Sequence, residues 1–385
     1  MKGWYGMKKA ISLLLTAAMT ASLAVVPAMA DDATFKIGAS GPLTGGAAAY
    51  GLGVVRGAEI AVDEINAAGG INGVQIEYSY EDDELDSEKS VSAYNTLKDW
   101  GMQVLVGPTT SGCSLAVSEK TMADNMFQIS PSASGSTCVT YDNVFRVCFS
   151  DPNQGLKSAQ YIANNGIASK VGVIYDSSDV YSSGIYQTFY TECAAQGIEI
   201  AAEGAFTADN KTDFSSQLQA CKDAGVELIF LPIYYTEAGA ILTQAASMGL
   251  DVKWFGCDGI DGLLGLENFN TDLAEGMMLL TPFAADATDD LTVSFVTTYE
   301  EKWGETPNQF AADAYDAVYA VKAAIEKSGA TPDMSVSDLC EAIKGAMTEI
   351  EITGLTGTIH WTADGEPDKE PKAVAIESGA YVAMD

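Results

Sequence analysis

The sequence predicts an α/β protein made of two doubly wound parallel-sheet units. Two observations carry this. Strand-like and helix-like patterns alternate along the chain, and the alternation restarts near its middle. The length, 385 residues, exceeds one ordinary α/β unit and suits two of roughly 150 to 200 residues each.

The first unit opens with an apolar strand at 34–40 that ends in glycine-rich turn residues. A helix is expected over 53–67, where Val54, Val55, Ala58, Ile60, Ala61 and Ile65 recur at helical spacing and Gly69-Gly70 stops the run. Residues 74–80 alternate as a strand, and 87–100 read as a helix capped by Asp86 or Ser87. A short strand at 103–106, a helix at 111–125 and a strand at 126–129 follow. The rhythm resumes with helices at 155–165, 182–195, 213–224 and 237–248, each followed by a strand, at 171–175, 198–202, 228–231 and 252–255. The segment 143–152 between the units is read as a crossover. The tail differs: helices at 291–303, 311–327 and 336–346 precede short strands near 358–361 and 373–376, with a turn at Asp364-Gly365.

Residues 1–30 read as a secretory signal. Lys2, Lys8 and Lys9 form a positive start, 11–26 is an apolar core, and Ala28-Met29-Ala30 is a small-residue cleavage motif. No later apolar stretch is long enough to span a bilayer. The net charge of −33 repels phosphate backbones and anionic lipid, so nucleic acid is not an expected partner. The acidic run Glu81-Asp82-Asp83-Glu84 lacks calcium-loop spacing and reads as a solvated loop. Seven cysteines follow the signal with no C-x-x-C; Cys138 and Cys148 are the best candidate disulfide. One histidine, His360, and the absence of G-x-S-x-G or Walker patterns leave no nucleophile–base system or multi-histidine metal site. No cofactor and no metal are expected.

In open α/β sheets ligands bind beyond the carboxyl ends of the strands. In the first unit those ends carry residues 41–50, Thr109-Thr110-Ser111-Gly112 and Ser130-Pro131-Ser132-Ala133-Ser134. In the second they carry residues 176–181, Ile233-Tyr234-Tyr235 and Cys257-Asp258-Gly259. The first set is hydroxyls and glycine; the second is aromatic with one carboxylate. Ser111, at a helix start, would hold a carboxylate with the free N–H groups there. Ser134 and the Ser132 carbonyl would add polar contacts, and Asp258 would pair with an ammonium. Tyr50, Tyr181 and Tyr234 would wall an apolar body. Together they specify a small apolar amino acid. Each residue also has a plainer reading: Ser111 as a helix cap, Asp258 as a turn residue, Tyr234 as core.

These residues resemble the branched-chain amino acid class of type I periplasmic binding proteins, the substrate-binding components of ABC importers. The resemblance spans the mature chain. It rests on Gly41-Pro42, Ala49-Tyr50-Gly51, Gly57-Ala58-Glu59, the run Ile65-Asn66-Ala67-Ala68-Gly69-Gly70-Ile71-Asn72-Gly73, and Tyr315-Asp316-Ala317. It implies two Rossmann-like lobes with a three-segment hinge near Ser150, Thr281 and Gly365. The N-terminal lobe would be 31–150 plus 282–365, and the C-terminal lobe 151–281 plus 366–385. The resemblance assigns the α-carboxylate and α-ammonium to Ser111 and Ser134 with main-chain contacts from Ser132, and Ala133 between them is counted in the site. It assigns the ammonium's acidic partner to Asp258, and the pocket aromatics to Tyr50, Tyr181, Tyr234 and Phe310. It further implies a periplasmic, monomeric, non-enzymatic receptor, released by cleavage near Ala30, that delivers ligand to a membrane ABC permease. The same fold binding an amide, urea or aromatic acid, or serving as a ligand-presenting sensor, is the alternative.

Overall fold

Apolar runs bounded by turn residues build the sheets, and amphipathic runs between them build the crossover helices. The computed structural model describes residues 33–384; the expected signal segment, with its cleavage at Ala30, lies outside the described residues.

The first sheet contains β1 (Phe35–Gly41), β2 (Ile76–Asp82), β3 (Val104–Val106), β4 (Phe127–Ser130) and β5 (Val144–Arg146), in the order β2-β1-β3-β4-β5. Every pair is parallel, so all five strands end at one edge. Helices α1 (Ala48–Ala67), α2 (Ser87–Trp100) and α3 (Ser111–Asp124) connect them. The chain then runs through α4 (Asp151–Asn164), β6 (Lys170–Asp176), α5 (Val180–Gln196), β7 (Glu199–Phe206), α6 (Ser215–Ala224), β8 (Leu228–Leu231), α7 (Tyr235–Ser247), β9 (Lys253–Gly256) and β10 (Met278–Thr281). The tail supplies α8 (Asp290–Trp303), α9 (Gln309–Ser328), α10 (Val336–Met347), the hairpin of β11 (Glu351–Gly354) and β12 (Gly357–His360), then β13 (Lys372–Glu377) and β14 (Ala380–Ala383). The second sheet has the order β14-β13-β10-β9-β8-β6-β7, with β13 and β14 antiparallel at one edge and the rest parallel.

The tail helices return to the first sheet. Val54, Ala58 and Ile65 of α1 share one buried core with Val318, Val321 and Ile325 of α9. Each such Val or Ile contributes about 1.5–3 kcal/mol by leaving water. The chain therefore passes between the sheets three times, after β5, after β10 and after β12. The first and third passages are clamped together. The buried Trp361 indole donates to the Arg146 carbonyl at 2.7 Å, and the Arg146 N–H donates to the Gly365 carbonyl at 3.1 Å. The Arg146 guanidinium, fully buried, grips both oxygens of Glu366.

Four expectations need correction. Helix α1 starts at Ala48 rather than 53, so Tyr50 lies in its first turn. Gly53 there marks close packing rather than a turn: a Cβ would fall 2.3 Å from the Asn308 Oδ1 atom. The crossover expected over 143–152 does fall there but is narrower, at 147–150, because the segment also holds β5 and the start of α4, whose Ser150 hydroxyl caps the Asn153 N–H at 3.4 Å. The acidic run is not a solvated loop. The Asp82 carboxylate accepts from the N–H groups of Leu43 and Glu84, and Asp83 is fully buried. All seven cysteines are buried free thiols, and Cys138 directs its Sγ to the Ser111 carbonyl at 3.7 Å instead of bridging to Cys148.

Candidate functional site

The strand ends of both sheets converge on one void of at most about 240 Å³, below the ~300–1,000 Å³ of drug-sized sites. The first sheet's side contributes Tyr50, Ser111, Ser132 and Phe310; the second contributes Tyr181, Tyr234 and Asp258. Thr109, Thr110 and Gly259 also line it, although sequence reasoning gave them no role. Ala133 and Ser134 stand behind the lining. The Ala133 N–H donates to the Ser130 hydroxyl at 2.9 Å and its carbonyl accepts from Arg146 at 3.3 Å. The Ser134 carbonyl accepts from the Asp151 N–H at 2.9 Å.

One end of the void is the start of α3. Thr110, not Ser111, is the N-cap residue, and Ser111 is the first helical residue. Thr110 makes no capping bond, and its hydroxyl is buried without a partner. The Ser111 hydroxyl oxygen accepts from the Gly135 N–H at 3.0 Å, which leaves its own proton free to donate. The first N–H groups of a helix have no partner within it, and the helix dipole adds positive potential there. This end is therefore suited to an anion such as a carboxylate.

Asp258, from the second sheet, lines the same void. It follows β9 and is 4% exposed, so it is a buried carboxylate rather than a surface turn residue. Tyr181 donates to its Oδ1 at 2.7 Å, and the Gly259 N–H holds the Tyr181 oxygen at 2.9 Å. The Asp258 N–H donates to Gln154 at 3.2 Å, and the Gln309 amide donates to its carbonyl at 2.9 Å. Burial pushes the carboxyl up to about 6, opposed by donors from Tyr181, Gln154 and the Gly259 N–H. Gly259 is required for this close assembly, since a Cβ would lie 2.7 Å from the Tyr181 oxygen and 2.8 Å from the Ile233 carbonyl. Among the described residues Asp258 has no ion-pair partner. The nearby cations are committed elsewhere: Lys211 to Asp176 and Glu237, Lys369 to Asp313, Arg146 to Glu366.

Aromatic rings form the walls. Tyr181 stacks on Tyr234 with centroids 5.2 Å apart, and Tyr50 meets Phe310 at 4.4 Å. Tyr50 also locks the sheets together. Its hydroxyl donates to the Gly259 carbonyl at 2.5 Å and accepts from the Tyr235 N–H at 3.2 Å. Thr236 adds a bond to the Gly46 carbonyl at 2.5 Å. A second void of about 200 Å³ lies beyond Tyr181 and Tyr234. There Lys211 bridges Asp176 and Glu237 at 3.2 and 3.4 Å, and Asp179 caps α5 by accepting from the Ser182 N–H at 3.0 Å.

Comparison with known proteins agrees with this geometry. The family described as periplasmic binding protein matches residues 34–379. The chain is 32% identical to a Leu/Ile/Val-binding protein of Rhizobium johnstonii over 81% of its length and 84% of the relative's. It is 30% identical to the leucine-, isoleucine-, valine-, threonine- and alanine-binding protein of Pseudomonas aeruginosa, over 83% of this chain and 86% of that one. Among solved structures, the branched-chain amino acid transporter substrate-binding protein of Streptococcus pneumoniae, crystallised with isoleucine, superposes with a TM-score of 0.82 at 30% identity. It covers 91% of this chain and 98% of its own.

Proposed function

We propose, since this chain belongs to the periplasmic binding protein family, that it captures a small apolar amino acid between two lobes and delivers it to an ABC permease. The observation that carries the reading is Asp258, a buried carboxylate without a cation, lining one aromatic-walled void with an unsatisfied helix start. An α-amino acid brings both missing charges. Its carboxylate meets the N–H groups and hydroxyls at Thr110 and Ser111, with Ser132 alongside. Its ammonium meets Asp258, and its side chain lies against Tyr50, Tyr181, Tyr234 and Phe310. An amide, a urea or an aromatic acid would leave Asp258 buried without a counter-charge, which costs several kcal/mol in order of magnitude.

The lobes in this reading are 31–150 plus 282–365 and 151–281 plus 366–385. Ligand bridges them and draws the population toward the closed form that a permease would recognise. No catalysis is assigned to the site. The protein works as a monomer outside the cytoplasm after cleavage near Ala30, a placement in keeping with the family and with the lack, among described residues, of a helix able to cross a membrane. The test is a thermal-shift screen of refolded protein, freed of co-purified ligand, against the twenty amino acids, urea, amides and aromatic acids. A rise in melting temperature with apolar amino acids alone supports the reading. A rise with amides or aromatic acids alone replaces it.

A further inference from the structure

We propose that Asp261 and Gln309 form a clasp between the two sheets that positions Asp258 in the closed form and draws a proton onto Asp261 as ligand closes the lobes. The inference rests on the reading above, in which one amino acid bridges the lobes, and extends it to two residues outside the lining of the void. Asp258 opens a short helical turn after β9, on the second sheet, and Asp261 ends it. Gln309 opens α9, which shares the core of α1 on the first sheet's side. The Gln309 N–H donates to the Asp261 carboxylate at 2.8 Å, and the Gln309 side-chain amide donates to the Asp258 carbonyl at 2.9 Å. The Asp261 N–H meets the same carbonyl at 2.9 Å. Two bonds from one residue thus fix the turn that carries Asp258 against the other sheet. Phe310, the next residue of α9, lines the void.

The clasp exists only while the sheets are together, and it buries Asp261. Separation returns this carboxylate to water. In the closed form the groups that face it are acidic or neutral: Asp258 on its own turn, Asp313 from α9, the Tyr299 phenol from α8 and the Tyr381 phenol from β14. Among the described residues Asp261 has no ion-pair partner. Lys369 is paired with Asp313 at 2.7 Å, and Arg56, which faces the Tyr299 ring, with Glu305 at 2.8 Å. A carboxyl group buried beside two other acids and no cation is costly as an anion and far less so once protonated. The protonated group keeps the clasp, since its carbonyl oxygen still accepts from the Gln309 N–H. Burial, reinforced by Asp258 and Asp313 and opposed by the Gln309 and Gly262 N–H groups, pushes this carboxyl up to about 7. A solvated aspartate stands at ~3.9. Closing therefore takes up a proton between about pH 4 and 7. The help that Asp261 gives to closing is fully present below about pH 4 and is lost as pH rises through 7. Asp258 adds nothing to this uptake, because the ligand's ammonium holds it charged in the complex.

The test is calorimetric titration of L-leucine, from pH 5 to 8, into wild type, Asp261→Asn and Gln309→Ala. Asparagine keeps the shape and an accepting oxygen but takes up no proton. Wild-type affinity should rise roughly tenfold per pH unit from 7 down to 5 and level off above 7. Asp261→Asn should be flat across the range and bind more tightly than wild type at pH 8. Gln309→Ala keeps the N–H and loses the amide, so it should keep the wild-type slope at about fivefold weaker affinity. A second measure needs no variant: in two buffers of different ionisation enthalpy, wild type at pH 6 should take up about one proton per leucine bound. A flat wild-type profile, no proton uptake, or an equal slope in Asp261→Asn overturns the protonation of Asp261, and wild-type affinity in Gln309→Ala overturns the clasp. Each of these leaves the amino-acid reading intact. Failure of wild type to bind leucine or any other apolar amino acid at any pH would instead overturn that reading, and this inference with it.

Discussion

Tyr50→Phe removes a single oxygen atom and tests whether the lobes are latched through it. The phenyl ring keeps its packing on Phe310, 4.4 Å between centroids. What disappears is the bond to the Gly259 carbonyl at 2.5 Å and the bond from the Tyr235 N–H at 3.2 Å. Tyr50 belongs to α1, on the first sheet, while both partners follow strands of the second. These bonds therefore exist only while the sheets are closed on each other. In an open form, water would satisfy the same groups, so the cost falls on the closed form alone. A buried group left unsatisfied costs about 1–3 kcal/mol. Taking about 2 kcal/mol for the pair of groups, the closed population drops about 30-fold relative to the open one. If ligand is held by the closed form, the apparent Kd for L-leucine rises by the same factor. Calorimetric titration of wild type and variant measures it. A Kd within twofold of wild type would refute the latch.

Three further outcomes follow from the same structure. Arg146→Met leaves the buried carbonyls of Ala133 and Gly135 without their donor and releases the partly exposed Glu366, and should lower stability by about 1–3 kcal/mol in urea denaturation. Asp258→Asn should weaken leucine binding and raise the stability of the ligand-free protein at neutral pH. Burial holds this carboxyl at about 6, above the ~3.9 of an unfolded chain. Its contribution is therefore fully present below about pH 4 and is lost as pH rises through 6. Thermal melts from pH 4 to 8 should show the variant gaining on wild type between about pH 4 and 6 and keeping that gain up to pH 8. Burial pushes the Cys113 and Cys138 thiols up to about 12, so a maleimide should label native protein slowly and, without reductant, all seven cysteines once it is denatured.

The alternation of strand and helix made most of the fold readable from the sequence. Strands such as β8 came through at the expected residues, 228–231, because a fully buried strand is a short apolar run. Two other short, fully buried strands did not. Neither β5 nor β10 was foreseen, and their identity depends on neighbours distant in sequence. Seven of nine expected site residues line one void: strand-end position, a rule of topology, picked six of them, and Phe310 came from the family resemblance. Asp83 was misread because a run of four acids looks solvated, whereas here the chain turns its third member inward. Thr110 was passed over in favour of Ser111 because a boundary uncertain by one residue exchanges the cap with the first helical position.

The central claim is that one amino acid spans the void, with its carboxylate at the start of α3 and its ammonium at Asp258. A crystal structure of the refolded protein with L-leucine tests this most directly. The account predicts the leucine carboxylate within hydrogen-bond distance of the Thr110–Ser111 segment, the ammonium on Asp258, and the side chain against Tyr181 and Tyr234. Leucine bound in the reverse orientation, or at a site away from Asp258, would contradict it.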